Sequence, residues 1–313
     1  MNIICSFDDK YSAYAGVMLT SLFENNKDSN ITVYALTDYV NNDNKVKFNE
    51  LAKSYSQHIE FIQIDIKEFK DFPHGGSKFS HIGLGTYYRL LSDSVLPVNV
   101  DRALYLDCDI IVNDNLSSMY RMPFNGAAVI ALLDKPDIAN SAPSRLGYSM
   151  SYGYVNAGVL LINIDEWRNM HFSKKSFEYL HNNVDRIIYH DQDVLNAVLY
   201  DKKSVLPLRY NMMECFFMKQ AIINECYKEQ LIDAINNPAI IHFTGTRKPW
   251  HIECDHPYKY LYEKYLILSP WNGFPLQKRY IKRMDILKYK LKTIVKVLFD
   301  LMGIGKYTYV TLK

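Results

Sequence analysis

The sequence has little glycine or proline, no long apolar run and no closely paired cysteines, and each shortage excludes a class of protein. With 13 glycines and 11 prolines in 313 residues, the chain is neither collagen-like nor of low complexity. No stretch approaches the roughly 18–20 apolar residues of a membrane-spanning helix. The N-terminal residues reach Asp8 and Asp9 before any apolar run of signal-peptide length, so we expect a cytoplasmic protein.

The five cysteines are widely spaced and none forms a C-x-x-C pair. This pattern indicates reduced thiols and excludes a zinc ribbon. Apolar residues are abundant, at 48% of the chain, and they include 25 tyrosines and 15 phenylalanines. Such a chain can bury enough surface to offset the entropy of ordering, which excludes disorder and favours one large domain or two unequal ones.

The net charge of +2 is unevenly distributed along the chain. Residues 278–313 carry a net charge of +8, from ten basic residues and two acidic ones, and the rest carries −6, from 26 basic and 32 acidic residues. We therefore divide the chain into a catalytic domain, 1–270, and a basic amphipathic C-terminal segment, 271–313. The segment either lies on an anionic membrane surface or packs on the catalytic domain as a helical subdomain. Nucleic acid is not expected as a partner, because the body is acidic and no recognition motif is present.

Short β-branched runs alternate with segments of helical period, which predicts an α/β fold around a mainly parallel sheet. The predicted strands are 3–7, 31–36, 59–64, 102–107, 129–133, 159–163 and the apolar run at 240–241, and the predicted helices are 14–23, 44–54 and 86–91. The stretch 136–152 carries no motif and is expected to be a loop.

Asp107 and Asp109 flank Cys108 directly after the predicted strand 102–107. Open α/β sheets bind ligands at the carboxyl ends of their strands. Two carboxylates two residues apart in an extended chain lie on one side and can share a divalent ion with phosphate oxygens. Taken alone, the pair also fits a strand-end turn with solvated acids.

A second group follows the apolar run at 240–241, where His242 is followed by Gly245 and Lys248. A glycine backbone can approach a phosphate closely, and a lysine can neutralise it. A lone histidine is more often a hydrogen-bonded core residue. If His242 joined Asp107 and Asp109, however, two carboxylates and one imidazole would suit Mn²⁺ or Mg²⁺.

Two more polar groups occupy predicted element starts. Asn156 and Ala157 precede the predicted strand 159–163, and Asp191 and Gln192 stand at a predicted helix start. Small residues such as Ala157 allow a flat ligand to pack against backbone. The alternatives are an ordinary strand start and a helix N-cap.

Together these motifs closely resemble those of glycosyltransferase family 8, and the match runs from residue 1 to about 270. The matching motifs, in order, are Asp8-Asp9-Lys10-Tyr11, Tyr105-Leu106-Asp107-Cys108-Asp109, Asn156-Ala157-Gly158-Val159, Asp191-Gln192-Asp193 and His242-Phe243-Thr244-Gly245-Thr246-Arg247-Lys248-Pro249-Trp250. This family of retaining, metal-dependent transferases includes bacterial lipooligosaccharide galactosyltransferases and glycogenin. The resemblance implies a GT-A fold and a UDP-sugar donor.

The resemblance also implies roles for individual residues. It places Mn²⁺, with Mg²⁺ as the alternative, at Asp107, Asp109 and His242. It places uracil at Asp8 and Tyr11, and the ribose at Asp107 and the backbone of Cys108. It places the diphosphate at His81, Gly245 and Lys248. It places Gln192 opposite the anomeric carbon, Asp191, Arg89, Asn156 and Ala157 around the donor sugar, and Asp134 on the acceptor side.

The resulting hypothesis is a retaining hexosyltransferase that uses UDP-galactose, or next UDP-glucose, and a saccharide acceptor on a glycolipid or glycoprotein. Gln192 is a poor nucleophile, which favours same-face attack over a covalent glycosyl-enzyme. One alternative is a non-catalytic module that binds a nucleotide sugar or glycan; it is disfavoured because the matched metal and phosphate positions carry competent residues. A nucleotidyltransferase would need a glycine-rich phosphate loop near the N-terminus, which the sequence lacks.

Overall fold

The computed structural model describes residues 1–69, 83–218 and 220–278 and the single positions 295 and 302. Within these residues no helix has the length and apolar character needed to cross a membrane. The strands are β1 Asn2–Ser6, β2 Thr32–Thr37, β3 His58–Gln63, β4 Arg102–Leu106, β5 Ile110–Val112, β6 Val129–Leu133, β7 Val155–Asn163, β8 Lys203–Val205, β9 Met212–Met213 and β10 Ile240–His242. The α-helices are α1 Ser12–Glu24, α2 Asn42–Ser54, α3 Ser92–Val95, α4 Ser117–Tyr120, α5 Pro136–Leu146, α6 Ile164–Asn169, α7 Phe172–Asn182, α8 His190–Val198, α9 Leu231–Asn236 and α10 Lys259–Leu268.

The larger sheet has the strand order β3-β2-β1-β4-β7-β6-β8. Strands β3, β2, β1 and β4 are parallel, and so are β6 and β8, whereas β7 is antiparallel to both β4 and β6. The predicted α/β fold with a mainly parallel sheet is therefore confirmed. Because β7 runs opposite to β4, the start of β7 lies beside the end of β4, where Leu106 pairs with Val159.

A second, smaller sheet has the strand order β5-β10-β9. His242 at the end of β10 pairs with Ile110 of β5 and with Met213 of β9. The next residue, Phe243, donates its backbone N–H to the carbonyl of Asp109 across 2.9 Å. The end of β10 is thereby fixed against the acidic turn between β4 and β5.

Apolar residues cover both faces of the larger sheet. Helices α1, α2 and α10 pack on one face, and the 3₁₀ helix Leu84–Leu91 packs with α6, α7 and α8 on the other. On the first face the ring of Trp271 lies directly on Gly16, where a Cβ would stand 2.2 Å from the ring. The larger sheet is therefore buried between two apolar layers.

Two segments differ most from their predicted structure. Strand β7 begins at Val155, four residues before the predicted start, because Asn156 hydrogen-bonds with its side chain inside the protein and therefore tolerates burial in a strand. The expected loop 136–152 contains helix α5, which begins with a proline, a residue that fits the first helical turn. This helix ends at Leu146 and is followed by Gly147, whose φ of 90° suits glycine.

The C-terminal segment is described only as far as residue 278, apart from positions 295 and 302. Within that part, Trp271 is buried against the first sheet layer, and the Gln277 N–H donates to the carbonyl of Trp250 across 2.8 Å. The predicted basic amphipathic helix otherwise lies outside the described residues, and it remains a prediction.

Candidate active site

Asp107, Asp109 and His242 meet where the two sheets join. Each offers one ligand atom, and the three atoms lie within 4.8 Å of one another. His242 Nε2 is 3.2 Å from Asp109 Oδ1 and 3.9 Å from Asp107 Oδ2. This donor set of two carboxylates and one imidazole fits a divalent ion such as Mn²⁺.

The close approach of these side chains depends on Gly158 at the start of β7. A Cβ at this position would lie 2.2 Å from His242 Cε1 and 2.8 Å from Asp107 Oδ2. Either contact is shorter than side-chain atoms tolerate. Any other residue at position 158 would therefore displace the imidazole or the carboxylate.

Lys248 brings a positive charge to the same acids. Its Nζ lies 2.5 Å from Asp109 Oδ2 and donates to the carbonyl of Phe243 across 2.8 Å. Burial alone would raise the pKa of Asp109, but the charge of Lys248 and the contact with His242 outweigh it and hold that pKa well below its usual value. Asp109 is therefore ionised and ready to accept a cation.

Arg89 is a buried cation between two acids. Its Nη2 lies 2.9 Å from Asp107 Oδ1, and its Nε lies 2.9 Å from Asp191 Oδ2. Tyr105 donates its hydroxyl to the same Asp107 oxygen across 3.0 Å, and the guanidinium lies over the Tyr105 ring. Thr86 donates its hydroxyl to Asp191. These contacts hold the Asp107 carboxylate through Oδ1, while Oδ2 is the oxygen nearer His242.

Gln192 forms a second polar group with the buried residues Asn156 and Asp134. Gln192 Oε1 accepts from Ala157 N across 3.0 Å and from Asn156 Nδ2 across 3.2 Å. Gln192 Nε2 donates to Asp134 Oδ2 across 2.8 Å. Burial raises the pKa of Asp134, although its hydrogen bonds oppose the rise. The carboxamide of Gln192 is therefore held by neighbours on both sides.

Helix α8 has no side-chain cap, so the N-cap alternative for the acids at its start is wrong. Asp191 instead pairs with Arg89. Asp193 accepts two backbone N–H groups, at 2.7 and 2.8 Å, a hydroxyl from Tyr154 and a bidentate contact from Arg145. Both carboxylates are thus engaged by cations or donors.

The far end of the cleft is aromatic. Asp8 accepts the N–H of Tyr11 across 3.0 Å and so begins the 3₁₀ helix Asp9–Tyr11. The Tyr11 ring makes edge contacts with Tyr14 and Trp250, which stack on each other with centroids 3.9 Å apart. This arrangement leaves the Tyr11 ring partly exposed beside the Asp8 carboxylate.

A cleft of about 850 Å³ connects these groups. Of the sequence-predicted site residues, those that line it are Asp8, Tyr11, Arg89, Asp107, Cys108, Asp109, Asp134, Asn156, Ala157, Asp191, Gln192, His242, Gly245 and Lys248. His81 lies outside the described residues.

Three residues with contacts in the site were missed by the sequence reasoning. Tyr105 could have been found, because it lies two residues before Asp107 and so shares one side of β4. Glu214 lies so close to Gly245 that a Cβ there would meet its carboxylate at 1.7 Å. Asn211 contacts His242 from a turn. No local pattern marks the last two residues.

Comparison with known proteins agrees with this geometry. The model of glycosyl transferase family 8 matches residues 2–254. General stress protein A of Bacillus subtilis is 28% identical over 277 residues, which cover 87% of this chain and 95% of that protein. Lipopolysaccharide 1,2-glucosyltransferase of Escherichia coli is 28% identical over 294 residues, which cover 92% and 84%.

The chain is also similar to a solved structure, that of galactosyltransferase LgtC in complex with donor and acceptor sugar analogues. The TM-score is 0.77 at 26% identity, and the match covers 87% of this chain and 99% of LgtC. The family match, residues 2–254, contains the whole cleft described above. This chain belongs to glycosyltransferase family 8 and is a glycosyltransferase of GT-A fold.

Proposed function

We propose that this glycosyltransferase moves a hexose from a UDP-sugar to a saccharide acceptor, with retention at the anomeric carbon and with Mn²⁺ bound by Asp107, Asp109 and His242. The convergence of three ligand atoms within 4.8 Å carries the proposal. The space left by Gly158 supports it, because this space allows His242 and Asp107 to approach. Mg²⁺ is the alternative ion for the same donor set.

The site is built to stabilise a leaving diphosphate. A bound divalent ion would neutralise negative charge that develops on the diphosphate, an electrostatic effect that is commonly the largest in such catalysis. Lys248 would supply a second positive charge, since its ammonium is already held beside Asp109 and the carbonyl of Phe243. The backbone at Gly245 lies within the same cleft and offers a close approach for phosphate oxygens.

For the transfer step we propose attack on the face that UDP leaves. The bond from the anomeric carbon to the diphosphate oxygen breaks, the acceptor oxygen bonds to that carbon, and the acceptor proton passes to a diphosphate oxygen. Gln192 is uncharged and positions the sugar. A covalent sugar on a neighbouring acid is disfavoured, because Asp191 is paired with Arg89 and Asp193 accepts bonds from several donors.

The proposed hexose is galactose or glucose, because the similar proteins include both a glucosyltransferase and a galactosyltransferase. The acceptor saccharide, linked to a lipid or a protein, would enter beside Asp134, whose carboxylate contacts Gln192. We further propose a cytoplasmic protein whose basic segment lies on the inner face of the cell membrane, in keeping with the +8 charge of residues 278–313.

A donor screen tests this proposal. UDP-galactose, UDP-glucose, UDP-N-acetylglucosamine and GDP-mannose are each incubated with the protein and Mn²⁺ without acceptor, and nucleotide release is measured. We expect release from one of the two UDP-hexoses above the other donors. Release from GDP-mannose alone would overturn the donor assignment, and binding of UDP-hexose without any turnover, with or without saccharide acceptors, would favour the non-catalytic module.

A further inference from the structure

Asn211 is a fully buried amide between the metal-binding group and the sugar-facing group. It lies in the turn between the 3₁₀ helix Leu208–Tyr210 and β9 and has no exposed surface. Its Oδ1 is 2.9 Å from His242 Nδ1, and its Nδ2 is 3.0 Å from Asn156 Oδ1. Asn211 is therefore hydrogen-bonded to both groups.

One backbone amide fixes the direction of every hydrogen bond in this chain of contacts. Gly158 N–H, which can only donate, lies 3.1 Å from the Asn156 side chain, so the atom it meets there is the carbonyl oxygen. That oxygen cannot donate, so the Asn211 atom facing it is the NH₂ group. The Asn211 oxygen consequently faces His242.

The backbone N–H of Ala157 independently indicates the same orientation of the Asn156 side-chain amide. Ala157 N–H donates to Gln192 Oε1 across 3.0 Å, which identifies that atom as oxygen. Asn156 must then present its NH₂ group to Gln192, as it does across 3.2 Å. Its oxygen is thereby directed to Asn211, in agreement with the contact from Gly158.

The direction of these bonds determines the state of the His242 ring. An oxygen at Asn211 requires a donor at His242 Nδ1, so this nitrogen carries hydrogen. Nε2 faces Asp109 and Asp107, and its lone pair would bind the metal while the hydrogen stays on Nδ1. Fixing the second ring nitrogen of a metal-binding histidine in this way typically changes metal affinity by about 10- to 100-fold.

We propose that Asn211 is a positioning residue with two separable roles. Its oxygen sets the tautomer and orientation of His242 for the metal, and its NH₂ group holds Asn156 toward Gln192 and the donor sugar. This inference rests on the proposed metal-dependent function, and it concerns a residue outside the cleft lining that acts only through others.

Two substitutions separate the roles. Asn211→Asp keeps an acceptor for His242 Nδ1 but places an oxygen against the Asn156 oxygen. Asn211→Leu keeps the branched shape of the side chain and removes both contacts. Asn26→Leu is the matched control, because Asn26 is equally buried and bonds to the backbone of Leu22 and Leu116 away from the cleft.

The readouts are the dissociation constant of Mn²⁺ by electron paramagnetic resonance and the tautomer of His242 by ¹⁵N NMR of the metal-free and Mg²⁺-loaded protein. We expect Asn211→Leu to weaken Mn²⁺ binding by about 10- to 100-fold. Asn211→Asp keeps the bond to His242 and should therefore retain Mn²⁺ binding close to that of wild type, yet lose turnover of the UDP-hexose. In the Mg²⁺-loaded wild type the His242 ring should carry its hydrogen on Nδ1.

Three results would overturn the inference. These are wild-type Mn²⁺ affinity in Asn211→Leu, an equal loss in Asn26→Leu, or a His242 ring without hydrogen on Nδ1 in the Mg²⁺-loaded wild type. Failure of the proposed function looks different, because wild type itself would then show no specific Mn²⁺ binding and His242→Ala would change nothing. Near-UV circular dichroism checks that each variant is folded.

Discussion

Arg89 donates from Nη2 to Asp107 Oδ1 across 2.9 Å, so a buried cation holds one acid of the proposed metal site. The same guanidinium lies 2.9 Å from Asp191. Burial alone would lower the pKa of Arg89, but the two carboxylates outweigh that effect and raise it. The charge is therefore permanent, and it orients Asp107 before any ligand binds.

Removal of this cation should destabilise the fold. Arg89→Met keeps much of the side-chain volume but leaves two carboxylates without their partner. We expect a loss of about 3–5 kcal/mol in the free energy of unfolding, as for other broken buried ion pairs. Urea denaturation measures this. Arg209→Met is the control, because Arg209 pairs with the half-exposed Asp114 and should change stability by at most about 1 kcal/mol. Equal effects of the two substitutions would contradict the prediction.

Gln192 should position the donor sugar rather than attack it. Gln192→Ala is expected to lower kcat by about 100-fold, the scale of a misplaced reactant, while transfer remains measurable. Initial rates with UDP-galactose and UDP-glucose give this value. Mass spectrometry of the wild-type protein after incubation with donor is the second measurement. A hexose found covalently bound to Asp191 or Asp193 would show that a carboxylate attacks.

Gly158 should be essential for metal binding although it offers no ligand atom. The Cβ of Gly158→Ala would lie 2.2 Å from the His242 ring, so the ring must move away from the acids. We expect the dissociation constant of Mn²⁺ to rise at least tenfold, which is about 1.4 kcal/mol. Gly85→Ala is the control, because its Cβ meets only the Tyr88 ring at an ordinary 3.7 Å. Unchanged affinity in Gly158→Ala would mean that the metal binds elsewhere.

Strand periodicity predicted much of this fold from the sequence. Short apolar runs located β1, β2, β3, β4, β6 and β10, and the acid pair was recognisable because it directly follows β4, at a strand end where open α/β sheets bind ligands. β7 was predicted to start too late, because Asn156 looks like a loop residue until its buried partners are known. Asn211 carries no local signal at all. Its role depends on tertiary contacts, with His242 31 positions away and Asn156 55 positions away.

The basic C-terminal segment remains a prediction that truncation can test. A chain ending at Lys278 keeps the contacts of Trp271 and Gln277 with the catalytic domain. If residues 279–313 lie on a membrane, this truncation should abolish binding to anionic vesicles but leave hydrolysis of the UDP-sugar nearly unchanged. Each basic residue near the surface contributes about 1 kcal/mol, and salt attenuates the attraction.

Sedimentation with anionic and neutral vesicles at two salt concentrations distinguishes the two interpretations of the segment. The full chain should bind anionic vesicles at low salt and less at high salt. A full chain without this preference, together with a truncated chain that aggregates, would show instead that the segment packs on the catalytic domain.

The proposed function requires that a divalent ion at Asp107, Asp109 and His242 drives cleavage of a UDP-hexose. Its most direct test is the rate of UDP release from the preferred UDP-hexose by metal-stripped protein during a Mn²⁺ titration, for wild type and Asp109→Asn. The rate for wild type should rise to saturation and return to background with chelator. Asp109→Asn, which removes charge but keeps size, should be slower by about 100- to 1,000-fold. A full wild-type rate in chelator, or a wild-type rate in Asp109→Asn, would contradict the claim.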